Sequence, residues 1–290
     1  GAAYVIACDK ERGDHRGRTY VTASAGNHGM SVAAGAQAFG AASVVYIAQS
    51  VPESFAARLA EQGAEVIREG ATYEDSMAAA QAAADLNGWA LLSDSSWPGY
   101  VERPHRLMEG YLVLMAEAIA QMPSPPTHIF LQAGVGGLAG ACAALARQAW
   151  GDAPTIIVVE PTVAAALHGS VKAGKPIESQ GPVSEMGRLD CKMPSLIALK
   201  GLARDADAFA LISEAEGQAG AGAAMVAGLG SSTSGAAGIA ALLALSDGQK
   251  ETLDISARSV VLTVLSEGPA ARCGALRYQS TRPGWHGHKA

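Results

Sequence analysis

The sequence predicts an α/β chain, with mostly parallel sheets covered by helices on both faces. Three observations predict it. Short apolar, often β-branched runs alternate with helix-period segments along nearly the whole length. Two strand-to-helix junctions, at 24–29 and 133–138, are built from glycine and other small residues. The chain also holds 34 Gly and only 5 % aromatics, which suits helices packed closely on a sheet and a ligand site lined by backbone.

The elements follow in order. Residues 1–7 read as the middle of a helix with no cap before it, so the given chain is expected to begin inside an element. Residues 19–22 form a β-branched strand, and a helical pattern starts near Asn27. Strands are predicted at 43–47, 64–67 and 89–92, and helices at 54–62 and 73–86. A loop at 93–100 precedes one long helix over 106–121. Pro123-Ser124-Pro125-Pro126 is a natural joint between two blocks. Beyond it come strands at 129–132, 155–159, 209–212 and 259–265, with helices at 138–149, 196–204, 215–227 and 236–245. The tail after Ser280 is polar and Gly-containing and is expected to be loosely ordered.

Composition excludes several classes. With 290 residues and 49 % hydrophobic content the chain can bury a full core. A net charge of −6 argues against nucleic acid or an anionic membrane as partner. No apolar run reaches the ~20 residues of a membrane span, and no signal peptide is visible. Cys8, Cys142, Cys191 and Cys273 are scattered without CxxC spacing, as in reduced thiols of a cytoplasmic protein. His105, His168, His286 and His288 have no partner spacing for a metal, so no metal site is expected. Ser232 and Ser234 do not sit in a Gly-x-Ser-x-Gly elbow.

Three segments carry chemistry. In Ser24-Ala25-Gly26-Asn27-His28-Gly29 a small-residue turn lets a ligand approach the backbone and aims free helix N–H groups at an anion. An ordinary βα turn would look the same. Ala133-Gly134-Val135-Gly136-Gly137-Leu138 can offer several N–H groups to one phosphate. It lacks the Gly-Lys-Ser/Thr of a Walker loop and the acidic partner of a dinucleotide fingerprint. A tight structural turn is its plain alternative. Ser266, in Leu265-Ser266-Glu267-Gly268, ends an apolar strand, where a lone Ser would otherwise be a strand cap.

Together, in this order, the three segments resemble fold-type II pyridoxal-phosphate (PLP) enzymes, the group of threonine dehydratase and tryptophan synthase β. Asp94-Ser95-Ser96-Trp97-Pro98-Gly99-Tyr100, Met108-Glu109-Gly110-Tyr111, Leu131-Gln132-Ala133-Gly134-Val135-Gly136, Ile157-Val158-Val159-Glu160-Pro161 and Gly187-Arg188-Leu189-Asp190-Cys191 are similar to diaminopropionate ammonia-lyases. The likeness runs from Gly1 to about Gly268, and the Asp94 block is its most specific part.

The resemblance implies two domains: a large PLP-binding domain from residues 1–14 and 126–290, and a small domain, 15–125, inserted in it. It implies a phosphate on Gly134, Val135, Gly136, Gly137 and Leu138, Asn27 beside the cofactor's phenolic oxygen, and Ser266 on its ring nitrogen. A neutral hydroxyl there makes a weaker electron sink than a carboxylate would, which favours β-elimination over transamination. Ser24, Ala25, Gly26 and His28 would receive the amino-acid substrate. Asp94 would assist proton transfer or hold a β-amino leaving group as an ammonium, unless it merely caps the turn through Ser96. The implied reaction is α,β-elimination on a β-substituted L-amino acid, 2,3-diaminopropionate-like, giving a 2-oxo acid and ammonia, in a cytoplasmic homodimer.

Three departures keep alternatives open. The family's Schiff-base lysine is expected just upstream of Gly1 and is not in the given sequence; Lys192 is read as a surface or substrate-entry lysine. Ala25 stands where those lyases place Asp, and Thr233 where they tend to have Glu. The Ser24–His28 stretch thus leans toward dehydratases of β-hydroxy amino acids (serine, threonine, 3-hydroxy or 3-aryl analogues). A non-catalytic relative that binds PLP or an amino acid is a further alternative. Glu185, Arg188 and Asp190 could line the cleft or belong to a solvated loop.

Overall fold

The structure, a computed structural model, describes residues 1–268. Cys273 and the tail after Ser280, with His286 and His288, lie outside the described residues.

Two four-stranded sheets, each wholly parallel, organise the chain. The first has strands β1 (Thr19–Ala23), β2 (Ala42–Ile47), β3 (Glu65–Arg68) and β4 (Ala90–Leu91) in the order β3-β2-β1-β4. The second has β5 (His128–Gln132), β6 (Thr155–Pro161), β7 (Ala208–Ile212) and β8 (Val261–Thr263) in the order β7-β6-β5-β8. Helices α1 (Ala2–Glu11), α2 (Asn27–Phe39), α3 (Glu53–Glu61), α4 (Tyr73–Asn87), α5 (Glu102–Glu109) and α6 (Leu112–Gln121) precede β5. Helices α7 (Gly137–Trp150), α8 (Ala166–Ala173), α9 (Leu196–Asp205), α10 (Glu214–Val226), α11 (Ala237–Ala244) and α12 (Asp247–Thr252) follow it. Among the described residues no helix is long and apolar enough to cross a membrane.

Strand alternation explains the layers. In the second sheet Ile129, Leu131, Ile156 and Val158 face α7, where Ala139, Cys142, Ala143 and Ala146 let the helix sit close. Phe130, Ile157 and Val159 face the other way onto Ala237, Ala240 and Ala241 of α11. In the first sheet Val21, Val44 and Tyr46 meet Ala80 and Ala84 of α4. On its opposite face Val45 and Ile47 meet Ala33, Ala56 and Leu59. Helix α1 packs on this side too: Ala2, Val5 and Ile6 share a cluster with Tyr20, Val32, Ala36 and Leu107.

The structure departs from the sequence reading in a few elements. The single helix over 106–121 is two, α5 and α6, broken at Gly110-Tyr111. The first turn of α1 crosses there, and a Cβ on Gly110 would lie 2.7 Å from the Gly1 nitrogen. Strands β4 and β8 are shorter than their apolar runs. A 3₁₀ turn at Thr162–Ala164 and the short helices α8 and α12 are additional.

Asp9 of α1 is buried at 3 % exposure. Its carboxylate accepts hydrogen bonds from Arg12 (2.7 Å), Tyr20 (2.8 Å) and Arg18 (3.1 Å). Burial pushes its pKa up, but the bonds from Arg12 and Tyr20, with Arg103 and Arg18 nearby, outweigh that and hold it below the usual carboxylate value. A depressed folded pKa stabilises above the unfolded value of about 4 and fades as pH falls through the folded one. Asp9→Asn is expected to cost ~3 kcal/mol at pH 7, read by urea denaturation, with the difference from wild type shrinking below about pH 4.

Candidate active site

Most of the described helices start without a side-chain cap, and those at the two small-residue junctions are among them. Helices α4, α10 and α12 open with complete capping boxes from Thr72, Ser213 and Ser246. Helices α2 and α7 open on Gly26 and Gly136 with no side-chain cap. Their first N–H groups are therefore left for something else.

At the first junction, Gly26 N–H donates to Ser24 Oγ (3.2 Å). Gly29 lies so close to the Ser24 carbonyl that no side chain fits. The Ala25 side chain packs on the apolar cluster of Ala33, Val45, Ile47 and Leu59. Asn27 is exposed at the helix start. The ring of His28 is half-buried, its Nε2 2.7 Å from the Leu92 carbonyl, and so ties this loop to the chain just before Asp94.

At the second junction Gly136 has φ +99°, a conformation that favours glycine. The turn is held from behind. Ser195 N–H donates to the Val135 carbonyl (3.0 Å), and a Cβ on Gly134 would lie 2.9 Å from both the Arg188 carbonyl and Cys191 Sγ. Among the described residues, the N–H groups of Gly134, Gly136, Gly137 and Leu138 donate to no acceptor.

The third segment meets both. Gln132, buried at the end of β5, places Nε2 3.0 Å from Ser266 Oγ and 2.9 Å from the Val264 carbonyl. Ser266 is exposed, and its neighbour Glu267 reaches the first junction, with Asn27 Nδ2 donating to its Oε2 (3.3 Å). Ser232 Oγ donates to Glu267 Oε1 (2.6 Å), and Ser231 Oγ to the Glu267 carbonyl (2.7 Å).

Asp94 is half-buried between β4 and α5. A Cβ on Gly137 would lie 3.9 Å from its carbonyl and 3.7 Å from the Tyr111 ring, which puts Asp94 and Tyr111 at the start of α7. Asp94 does not cap the turn through Ser96. Ser96 is bolted instead to α9, with its Oγ 2.8 Å from Ser195 Oγ and accepting from Ile197 N–H at 2.9 Å. Among the described residues the Asp94 carboxylate makes no hydrogen bond. Its charge falls on the groups around it. Burial and then Asp94 raise the Tyr111 phenol well above its usual range and the Cys191 thiol to about 12, so both are neutral at physiological pH.

Lys192 does not enter the cleft. Its Nζ donates to Asp190 (2.6 Å), Pro182 O (2.9 Å) and Val163 O (3.0 Å), which uses all three donors.

A family model described as "Pyridoxal-phosphate dependent enzyme" matches residues 1–267. The chain belongs to the pyridoxal-phosphate dependent enzyme family. It is 37 % identical over 187 residues to a diaminopropionate ammonia-lyase of Salmonella typhimurium, covering 62 % of this chain and 46 % of the relative. It is 31 % identical over 160 residues to the L-serine dehydratase/L-threonine deaminase of Mus musculus, covering 54 % of this chain and 46 % of the relative. The diaminopropionate ammonia-lyase of Escherichia coli, solved in complex with D-serine, superposes with a TM-score of 0.84 at 27 % identity, over 92 % of this chain and 75 % of that one. The chain thus spans about half the length of the curated relatives it matches.

The residues present fit the family's cofactor. The glycine loop offers N–H groups without a partner among the described residues, and a helix start, to a dianionic phosphate. Ser266 accepts from Gln132, which leaves its own proton to donate to a neutral ring nitrogen.

Sequence reasoning missed Gln132, Glu267 and Tyr111. Each carried a weak signal: Gln132 is the one polar residue of Ile129-Phe130-Leu131-Gln132, and Glu267 directly follows Ser266.

Proposed function

We propose that the protein is a PLP-dependent ammonia-lyase that removes a β-substituent and the α-amino group from a 2,3-diaminopropionate-like L-amino acid. The observation that carries this reading is convergence. Segments from residues 24–28, 94, 134–138 and 266 lie near one another, through the hydrogen bonds of Asn27 with Glu267 and Gln132 with Ser266 and the nearness of the Asp94 carbonyl to the start of α7.

In this reading the N–H groups of Gly134–Leu138 hold the phosphate, and Ser266 donates to the ring nitrogen. Asn27 lies beside the phenolic oxygen. The N–H groups of Ala25, Gly26 and His28, with Ser24, receive the substrate carboxylate. Bound there, the cofactor supplies an electron sink for the carbanion left at Cα. Asp94, whose carboxylate makes no competing hydrogen bond among the described residues, holds the leaving β-amino group as an ammonium. Tyr111, kept neutral, stands at the start of α7 beside Gly1. The family's Schiff-base lysine is taken to lie just upstream of Gly1, whose own backbone packs against the Tyr111 ring. The same reading divides the chain into a small domain, 15–125, inserted in a large one of 1–14 and 126–290, and takes the protein as a cytoplasmic homodimer.

The test is release of 2-oxo acid by the protein carrying the upstream lysine, with L-2,3-diaminopropionate, L-serine, L-threonine and 3-aryl-serine as substrates. Diaminopropionate is expected to react fastest. Turnover confined to the hydroxy compounds would make it a dehydratase, a reading that the Ser24–His28 stretch favours. Cofactor binding, seen as yellow colour, without any turnover would make it a non-catalytic relative.

A further inference from the structure

We propose that Arg188 is a specificity-determining residue, a guanidinium clamp that receives the substrate carboxylate from the side opposite the 24–28 loop. The inference rests on the placement of the substrate loop proposed above. Arg188 lies between Met186 and Cys191, in the segment that backs the glycine turn, and its backbone N–H is tied to Ser234 Oγ (3.2 Å). From there the side chain reaches across to the first sheet's layer. Its guanidinium carbon lies 5.4 Å from the centroid of the Phe55 ring on α3. A Cβ on Gly26 would lie 3.2 Å from its Nη1, so the guanidinium lies directly over the substrate loop.

The group is oriented but not satisfied. Its Nε edge faces Glu267 Oε2 at 3.7 Å, beyond hydrogen-bond distance. Nε is buried and has no hydrogen-bond partner among the described residues. The side chain as a whole is 31 % exposed. A guanidinium has five N–H donors in a fixed fork, and none of these makes a hydrogen bond among the described residues. Glu267 and the Phe55 ring hold the group in place, and it lies along Gly26, with Nη1, Cδ and Cζ 3.2, 3.3 and 3.4 Å from a Cβ built there. The loop itself has no Lys or Arg between residues 24 and 29 to meet a full negative charge. A carboxylate entering there finds N–H groups on one side and the guanidinium fork on the other. Glu267 already shows the preference: the cleft sets one carboxylate near both Asn27 Nδ2 and Arg188 Nε.

The test measures binding of L-alanine, which has no β-leaving group, and of L-alaninamide to the PLP-loaded protein by calorimetry. Arg188→Met is expected to weaken L-alanine ~10- to 100-fold while changing L-alaninamide less than about threefold, so that the preference for acid over amide collapses. Arg188→Lys, which keeps the charge but not the fork, is expected to lose roughly 3- to 10-fold, and it keeps the test available if the Met variant is unstable. In turnover the loss should appear in KM, with kcat changed less than about threefold. L-alanine binding within about twofold of wild type in both variants, or an undiminished acid-over-amide preference, would overturn the clamp. Failure of the wild-type protein to bind L-alanine at all would instead overturn the placement of the substrate loop.

Discussion

Gly136→Asp is expected to abolish PLP retention, and Gly137→Asp to do the same with the fold intact. In either variant a carboxylate enters a loop whose N–H groups at Gly134, Gly136, Gly137 and Leu138 have no partner among the described residues. Two like charges about 4 Å apart repel by ~4 kcal/mol at an effective dielectric of about 20, roughly a thousand-fold in affinity. The two positions differ in what else they disturb. Gly136 has φ +99°, and a Cβ there would lie 3.0 Å from Leu167 Cδ1 and 3.1 Å from Ala198 Cβ. Strain of this kind costs about 1–3 kcal/mol, so Gly136→Asp also lowers Tm by several degrees. Gly137 is the first residue of α7, and a Cβ there meets only ordinary contacts at 3.7–3.9 Å. An Asp at a helix start suits the helix dipole, so apo Gly137→Asp should melt within roughly 2 °C of apo wild type. Cofactor content is read from visible absorbance after desalting, and stability from thermal unfolding. Near-normal absorbance in Gly137→Asp would show that the phosphate is held elsewhere.

How far the site was legible in the sequence depended on whether a residue acts through its backbone or its side chain. The glycine junctions were readable because small residues between an apolar run and a helical pattern have few other uses, and both junctions became helix starts without side-chain caps. The parallel sheets were readable because strands and helices alternate, as wide crossovers require. What closes the cleft was not readable. The bond of Asn27 to Glu267 joins residues 240 positions apart. The clasp of Ser96 on Ser195 spans 99, and nothing near Ser195 marks it. The break at Gly110 was hidden for the same reason: the helical pattern continues through it, and the crossing chain that forbids a side chain is Gly1 and Tyr4. Local pattern reports an element's period, while its interruption is decided by a partner remote in sequence.

The same distinction sharpens what Ala25 does, and with it the stereochemistry. L-amino acids are expected to react at least ~100-fold faster than D-isomers. Taking the Cα proton of a D-substrate needs a base on the face opposite the proposed lysine. Ala25 carries no proton acceptor, and its methyl is turned into the cluster of Ala33, Val45, Ile47 and Leu59. Loss of a positioned base typically costs ~100- to 10,000-fold in rate. An Asp introduced at 25 must either bury a charge in that cluster or turn the loop outward. Ala25→Asp is therefore expected to restore D-turnover only in part and to lower stability. In the proposed function Asp94, whose carboxylate is held by no hydrogen bond among the described residues, serves the L-reaction. Asp94→Asn should lower kcat for L-diaminopropionate by ~100-fold or more and leave PLP absorbance near that of wild type. Oxo-acid release from D- and L-diaminopropionate, measured for wild type and both variants, decides the matter. Comparable D- and L-rates in the wild type would mean that a base other than residue 25 serves the D-face. A full kcat in Asp94→Asn would remove Asp94 from the chemistry and leave the leaving group to be held by some other residue of the cleft.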